Sequence, residues 1–320
     1  MKRIYLLPNE GTFYKANLHC HSVISDGKKT IEELKDMYQR HGYSILAYTD
    51  HRRYRDHRNL SDETFLALAG YEADADWETE DYNHYATTHI CLYDTDPDQH
   101  REEKNKSPMP KGRDTAALNT FAKEMGELGF LLCYNHPYWS LQTYEDYKGL
   151  RGFFAMEIYN HGCEIDGLYG YHAQAYDEML RTGNRLACVA TDDNHNCYPE
   201  EDPMCDSFGG FTMVKAKELS YTAVIDALRR GDFYASTGPE IKDFYLEGNR
   251  IVVKTSPVSK IYVKGSGRLS YQKRSRANEF LTEAVFEREP NRNDRFLRVS
   301  IQDEKGRHAD SRAYFLDEMN

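Results

Sequence analysis

Residues 16–27 read Ala-Asn-Leu-His-Cys-His-Ser-Val-Ile-Ser-Asp-Gly and join a short apolar run to a polar turn. In an extended strand, side chains two residues apart point to the same face. His19 and His21 therefore share a face and can hold one metal ion, whereas Cys20 points into the packing. The stretch predicts a β-strand that ends in two potential metal ligands, with Asp26 in the Ser-Asp-Gly turn that follows.

Similar apolar runs recur along the first 235 residues and alternate with helical patterns. Thr30 and Glu33 form a capping-box pattern for a helix that ends near Gly42. Alternation of this kind is typical of βα units, and runs with little charge are typical of parallel strands covered on both faces. The further strand-like runs are residues 44–51, 88–93, 130–136, 154–160 and 185–195, and the further helical patterns are residues 115–128, 172–182 and 221–230.

Metal-capable side chains stand at the ends of most of these runs. In a βα barrel, the carboxyl ends of the strands meet at one face, and that face holds the active site. Residues far apart in the sequence are therefore predicted to converge there. Taken singly, each has an ordinary explanation as a turn, cap or core residue, but the set is hard to explain in that way. The metal-capable side chains at these positions are His19, His21, Asp26, Asp50, His51, Glu72, His89, His136, Asp192, Asp193 and His195.

Imidazole and carboxylate ligands suit zinc, manganese or iron. A carboxylate such as Glu72 can bridge two ions, and a bridged pair lowers the pKa of a bound water while holding the attacking and leaving oxygens. The sequence therefore predicts a metal-dependent hydrolase with two or three divalent ions.

The same residues, in the same order, resemble the motifs of the PHP (polymerase and histidinol phosphatase) family. The resemblance covers about residues 15–235. It rests on the pattern H-x-H, S-D-G, T-D-H, Glu, His, N-H-P and D-x-H, which stands here at His19 and His21, Ser25 to Gly27, Thr49 to His51, Glu72, His89, Asn135 to Pro137, and Asp193 and His195.

This resemblance implies an α/β fold, a distorted, TIM-like (β/α)7 barrel with up to three metals. The first ion would be held by His19, His21, Glu72 and Asp193. Glu72 would bridge to a second ion on His89 and His136, and Asp26, His51 and His195 would hold the third. Alternatives remain for two positions, since His84 lies near His89 and Asp192 precedes Asp193. Asp50 and Asp192 are also candidates for orienting a ligand.

The texture of the sequence changes after Pro239. Strand-like runs at residues 241–246, 250–255, 260–264, 283–287 and 295–302 are separated by Gly and Pro, which predicts a small all-β, sandwich-like domain. The predicted domains are residues 1–238, the barrel, and residues 239–320. A β tail of this kind is similar to the carbaryl-hydrolase-like branch of two-domain PHP hydrolases.

Three functions are compatible with the sequence. The first is a phosphoesterase acting on a small phosphorylated substrate, with Arg52, Arg53 and Arg55 as potential phosphate ligands, although these arginines also fit a solvated loop. The second is a hydrolase of a carboxylic ester, carbamate or amide with the same metal centre. The third is a metal-binding or ligand-binding protein without enzymatic activity.

Composition narrows the partners and the location. The formal net charge of −11 argues against nucleic acid other than a small nucleotide or oligonucleotide. No apolar run reaches the length of about 18 residues needed to cross a membrane, and the N-terminal residues do not fit a signal peptide. The seven cysteines include no C-x-x-C pair, and those in apolar runs fit buried, reduced thiols. We expect a cytoplasmic protein with a long polar loop at residues 93–112, and its oligomeric state stays open.

Overall fold

A computed structural model describes residues 3–78, 85–99, 109–110, 114–268, 270–289 and 293–319. Its first part contains ten strands and six α-helices within the described residues. The strands are β1 (Arg3–Tyr5), β2 (Thr12–Asn17), β3 (Ile45–Tyr48), β4 (Leu66–Glu78), β5 (Tyr85–Asp94), β6 (Phe130–Tyr134), β7 (Ala155–Asn160), β8 (Ala187–Thr191), β9 (Phe211–Ala216) and β10 (Phe233–Ser236). The helices are α1 (Ile31–Arg40), α2 (Thr115–Glu127), α3 (Tyr144–Tyr147), α4 (His161–Ile165), α5 (Ala173–Arg181) and α6 (Tyr221–Arg230).

Strands β2 to β8 lie side by side in sequence order. The two ends of this array meet just beyond β2 and β8, where Cys20 and Asn194 form a parallel bridge. The amide of His21 donates to the carbonyl of Asn194 over 3.1 Å, and the amide of Asp193 donates to that of His19 over 3.0 Å. These hydrogen bonds place His19 and His21, which follow β2, next to Asp193, which follows β8.

A regular alternation of strand and helix is not observed in this part. Strands β2, β3 and β4 are parallel, as are β6, β7 and β8, but β5 runs antiparallel to both of its neighbours. The predicted strand at residues 88–93 is present, and the expectation that it belongs to a parallel βα unit is wrong. Because β5 is reversed, its beginning lies where its neighbours end. This explains how His89, at the start of its apolar run, reaches the other ligands.

Helices α1 and α6 show how local residues set a helix boundary. At the start of α1, Thr30 accepts from the amide of Glu33 over 3.2 Å, and the Glu33 carboxylate accepts from the amide of Thr30 over 2.8 Å. The predicted capping box is therefore present. Gly231, in the left-handed region with φ of 71°, ends α6.

The remaining strands form an antiparallel β unit in two sheets. They are β11 (Ile241–Glu247), β12 (Arg250–Val258), β13 (Lys260–Gly265), β14 (Ser270–Arg274), β15 (Leu281–Glu287), β16 (Phe296–Gln302), β17 (His308–Ser311) and β18 (Tyr314–Phe315). One sheet has the order β1-β11-β12-β15, and the other runs β14-β13-β16-β17 and continues through β10 and β9 into the first part. Apolar side chains such as Phe244, Ile251 and Val299 pack together in its core.

The N-terminal strand β1 pairs with β11, so residues before position 239 also contribute to the β unit. A strand of three residues carries too little alternation to be recognised in the sequence. The domain limits at residues 238 and 239 stay a prediction.

All seven cysteines are free thiols, and the four predicted to be buried, Cys20, Cys91, Cys133 and Cys188, are buried. No helix in the described part of the chain is both long and apolar enough to cross a membrane. Most of the polar loop expected at residues 93–112 lies outside the described residues.

Candidate metal centre

All nine predicted ligands lie together at the edge of the sheet where the parallel strands end. They fall into four overlapping groups whose nitrogen or oxygen atoms lie within 4.8 Å of one another. The groups are His19, His21 and Glu72; His19, His136 and Asp193; His51, Glu72 and His89; and His21, Asp26, His51 and His195.

Four of these side chains form a compact cage. The Nε2 atoms of His19 and His21 are 3.1 Å apart, and Asp193 Oδ1 lies 3.1 Å from the first and 3.0 Å from the second. Glu72 places Oε1 3.2 Å from His19 Nε2 and Oε2 3.4 Å from His21 Nε2. Ligand atoms around a tetrahedral zinc ion, with bonds of about 2.0–2.1 Å, lie about 3.3 Å apart. The cage therefore fits one ion.

Glu72 also faces the next ligands. Its Oε1 lies 3.1 Å from His89 Nδ1 and 3.5 Å from His136 Nε2, and its Oε2 lies 3.2 Å from His51 Nδ1. His136 Nε2 is nearly as close to Asp193, at 3.6 Å from Oδ2. A carboxylate between three imidazoles is placed as a bridge would be.

Asp26 lies close to three of the predicted histidine ligands. Its Oδ2 lies 3.5 Å from His195 Nε2 and 3.7 Å from His51 Nε2, and its Oδ1 lies 3.7 Å from His21 Nδ1. Gly27 is required beside it, because a Cβ there would lie 2.3 Å from the carbonyl oxygen of His21. This close approach gives a physical reason for glycine in the Ser-Asp-Gly turn.

Two buried atoms of the cluster, His21 Nδ1 and Glu72 Oε2, have no hydrogen-bond partner among the described residues. Leaving a buried polar atom unpaired costs about 1–3 kcal/mol. Both atoms face other ligand atoms, so a divalent ion bound among them would remove this cost. The nitrogen and oxygen donors present fit zinc, manganese or iron.

The cluster also has an excess of negatively charged side chains. Burial would lower the pKa of His51, yet Glu72, Asp74 and Asp26 raise it to about 9. Burial would likewise lower the pKa of His195, and Asp26 with Asp193 raises it to about 9. The excess of carboxylates therefore favours positive charge at this position.

Glu157, in β7, is a functional residue that the sequence interpretation missed. Its buried carboxylate accepts hydrogen bonds from His19 Nδ1 and Thr191 Oγ1, both at 2.7 Å, and from the amide of His136 at 3.1 Å. A partner on Nδ1 fixes the ring so that Nε2 faces the cage. The available indication was a single acidic residue inside the apolar run at residues 154–160.

Asp74 supports His51 in the same way. Its Oδ2 lies 3.2 Å from His51 Nδ1, and its Oδ1 is ion-paired with Arg52, whose Nε lies 2.6 Å away. The alternation of Glu72, Asp74 and Asp76 in β4 was the indication for this residue, but β4 was not recognised as a strand.

The alternative ligands have other positions. Asp50 accepts hydrogen bonds from Ser22 and Ser25 at 2.8–3.1 Å and so holds the turn that carries Asp26. Asp192 accepts from Tyr38 Oη and from the amides of Phe208 and Gly210 at 2.8–2.9 Å. Neither residue belongs to the four groups of ligand atoms. His84 lies outside the described residues.

Two of the three predicted phosphate ligands lie beside the cluster. Arg52 and Arg53 line a cavity of about 610 Å³, the arginine cavity, together with Asp26, His51 and His89. Arg53 has no hydrogen-bond or ion-pair partner for its side chain among the described residues. Arg55 donates to the carbonyl of Tyr54 over 3.0 Å and is not among the described residues that line the cavity.

The sequence matches no protein-family profile and no curated protein. Among solved structures, the chain is similar to a two-domain protein from Bacteroides vulgatus described as containing a "predicted PHP-like metal-dependent phosphoesterase", with 15% identity, coverage of 98% of this chain and 97% of that one, and a TM-score of 0.45. It is also similar to a protein from Bifidobacterium adolescentis for which metal-dependent phosphoesterase activity has been inferred, with 14% identity, coverage of 61% and 90%, and a TM-score of 0.36.

Proposed function

We propose that the protein is a metal-dependent phosphoesterase that acts on a small phosphorylated substrate. The observation that carries the proposal is the convergence of nine imidazole and carboxylate side chains beside a cavity that contains Arg53, whose side chain has no partner among the described residues. Divalent ions bound at such a site lower the pKa of a coordinated water and offset negative charge on the oxygens of the reacting group.

The protein's own residues would then position the reacting groups. Glu157 orients His19, and Asp74 orients His51, so the ligand atoms are held before substrate binds. Arg53 is free to donate to the oxygens of a phosphoryl group, because no described residue pairs with its side chain. Arg52 is already bound to Asp74 and adds positive charge at the same wall.

The arginine cavity favours phosphate over a neutral ester. A phosphate monoester carries two negative charges near neutral pH, and the protein as a whole is acidic, with a net charge of −11. Asp74 and Asp76 also line this cavity, and Asp74 is paired with Arg52. Arg53 and the bound divalent ions would therefore attract such a substrate against the repulsion of the surrounding carboxylates. A carboxylic ester, carbamate or amide would gain little from these arginines.

A carbon-centred hydrolase remains the second candidate because a second cavity, of about 450 Å³, opens from the same ligands. Trp139, Ile165 and Met204 contribute apolar surface to it. An uncharged aryl ester or carbamate would fit such a wall.

We further propose three ions, of zinc, manganese or iron, with shared ligands. His19, His21, Glu72 and Asp193 would hold the first, Glu72 with His89 and His136 the second, and Asp26, His51 and His195 the third. The closed array of seven strands supports a distorted (β/α)7 barrel over residues 1–238, with a β domain at residues 239–320. The free cysteines support a cytoplasmic location.

Metal analysis combined with a substrate screen tests the proposal. We expect two or three metal ions per chain and metal-dependent turnover of at least one class among phosphomonoesters, phosphodiesters and cyclic phosphates. Arg53→Gln should raise KM for the phosphoester, whereas Arg229→Gln, on the exposed face of α6, should not. Turnover of neutral aryl esters alone would favour the carbon-centred hydrolase, and bound metal without any turnover would favour a binding protein.

A further inference from the structure

Two cavities open from the metal-ligand cluster, and they differ in character. Both are lined by Asp26, His51, His89 and Trp139. The arginine cavity continues from these residues past Arg52 and Arg53. The second cavity, called the aromatic cavity, is lined by more of the cluster, namely Glu72, His136, Asp193 and His195, and by Ile165, Asp166, Tyr198, Met204 and Asp206.

The aromatic cavity is unsuited to a second anionic group. No lysine or arginine occurs among the described residues that line it, and Asp166 and Asp206 contribute negative charge. Outside the metal-ligand cluster, its wall also includes Trp139, Tyr198 and Met204, which are apolar or aromatic and partly exposed. The arginine cavity also contains Asp74 and Asp76, but Arg53 has no partner among the described residues. A substrate that enters both cavities would therefore place its phosphoryl group toward Arg53 and the metal ligands, and an uncharged, apolar group along Trp139 into the aromatic cavity.

Trp139 is held rigidly at the junction. It lies in the turn after β6, where the amide of Ser140 donates to the carbonyl of His136 over 3.2 Å and the amide of Thr87 donates to that of Ser140 over 3.1 Å. Its ring packs at steep angles against His136, at 5.1 Å between centroids, and against His89, at 5.4 Å.

The indole nevertheless keeps a free surface, since 38% of Trp139 is exposed. An exposed aromatic ring with a fixed orientation is a prepared stacking surface, because little conformational freedom is lost when a ligand binds to it. Packing inside the protein does not account for this exposed part of the ring.

On the basis of the proposed function, we propose that the substrate is a phosphoester carrying a flat aromatic group that stacks on Trp139. The phosphoryl group would face Arg53 across the metal ligands, and the ring would lie in the aromatic cavity. Trp139 is thus a specificity-determining residue that discriminates a flat ring from a saturated group of similar size.

A binding experiment tests this without turnover. The chain has only two tryptophans, and Trp77, in β4, lines a separate small cavity. A Trp77→Phe variant therefore reports Trp139 alone by fluorescence. The metal-loaded variant is titrated with benzylphosphonate and with cyclohexylmethylphosphonate. The two compounds carry the same charge, but only the first has a planar ring. We expect quenching by the benzyl compound and binding about two- to tenfold tighter than for the cyclohexyl compound. Equal affinities, or no change in fluorescence, would overturn the inference.

Kinetics with the corresponding phosphates separates this inference from the proposed function. Trp139→Leu should raise KM for benzyl phosphate about two- to tenfold and leave KM for cyclohexylmethyl phosphate unchanged. Trp139→Phe should retain the preference, and Tyr144→Leu, at an exposed position in α3, should leave it intact. Hydrolysis of both compounds without any preference would refute the stacking role alone. Absence of phosphoester hydrolysis together with selective phosphonate binding would refute the proposed function alone.

Discussion

The protein contains two clusters of buried charge that are built differently. In the β unit, the guanidinium of Arg298, in β16, is fully buried and lies 2.6 Å from Asp177 in α5 and 3.1 Å from Asp310 in β17. The second oxygen of Asp310 accepts from Tyr171 Oη over 2.8 Å. Each charge of this cluster therefore has partners within the protein.

The metal-ligand cluster lacks such a balance. Its carboxylates outnumber the nearby permanent cations, and Glu72 Oε2 and His21 Nδ1 are buried without a hydrogen-bond partner in the part of the chain that the structure describes. The carboxylates raise the pKa of His51 and of His195 to about 9. We infer from this difference that the Arg298 cluster, with its internal pairs, stabilises the fold. The metal-ligand cluster, with its unpaired ligand atoms, is suited to bind a cation.

The largest effect should follow from removing the first ligands of the unbalanced cluster. We expect His19→Ala with His21→Ala to lose at least one metal ion per chain and to lower turnover by about a thousandfold or more, as for residues that act as a unit. Elemental analysis and kcat measure this. The control is His41→Ala, at an exposed position paired with Glu200. Unchanged metal content in the double variant would contradict the account.

Arg298→Met should instead damage stability without affecting metal content. The change leaves Asp310 buried without its cation, which costs about 3–5 kcal/mol of unfolding free energy. Urea denaturation measures the loss. Arg250→Met, which removes a surface pair with Glu247, should cost less than about 1 kcal/mol. Equal losses of unfolding free energy in the two variants would show that the buried cluster stabilises the fold no more than a surface ion pair does.

Glu157→Gln should have an intermediate effect because it weakens the orientation of His19 and keeps the shape of the side chain. We expect metal affinity to fall about 10–100-fold with the fold retained. Competition with a chelator measures the affinity, and exposed Glu124→Gln serves as the control. If the affinity does not change, Glu157 does not position this ligand.

The smallest effect concerns pH. In metal-stripped protein, His51 and His195 have pKa values of about 9, above the ordinary value of 6.5. Their contribution to stability is therefore fully present below pH 6.5 and is lost as pH rises through about 9. Bound metal replaces these protons, so the Tm difference between loaded and stripped protein should grow from pH 6.5 to 9. A constant difference measured by calorimetry would contradict this linkage.

The sequence predicted which side chains lie close together better than it predicted the path of the chain. The spacing of two between His19 and His21 predicted a shared face of a strand, but β2 ends at Asn17 and both histidines lie after it. All nine predicted ligands nevertheless lie in the four groups. Strand β5 was assigned the wrong direction, since an apolar run has the same pattern whichever way it pairs. Glu157 and Asp74 were missed because their roles depend on rings brought to them by other strands.

Anomalous scattering from crystals of the metal-loaded protein tests whether the metal-ligand cluster binds metal. Data collected on both sides of the absorption edges of zinc, iron and manganese would identify each ion. We expect two or three anomalous peaks within bonding distance of the nine ligands, with one in the cage of His19, His21, Glu72 and Asp193. Well-ordered ligand side chains without any anomalous peak would contradict it.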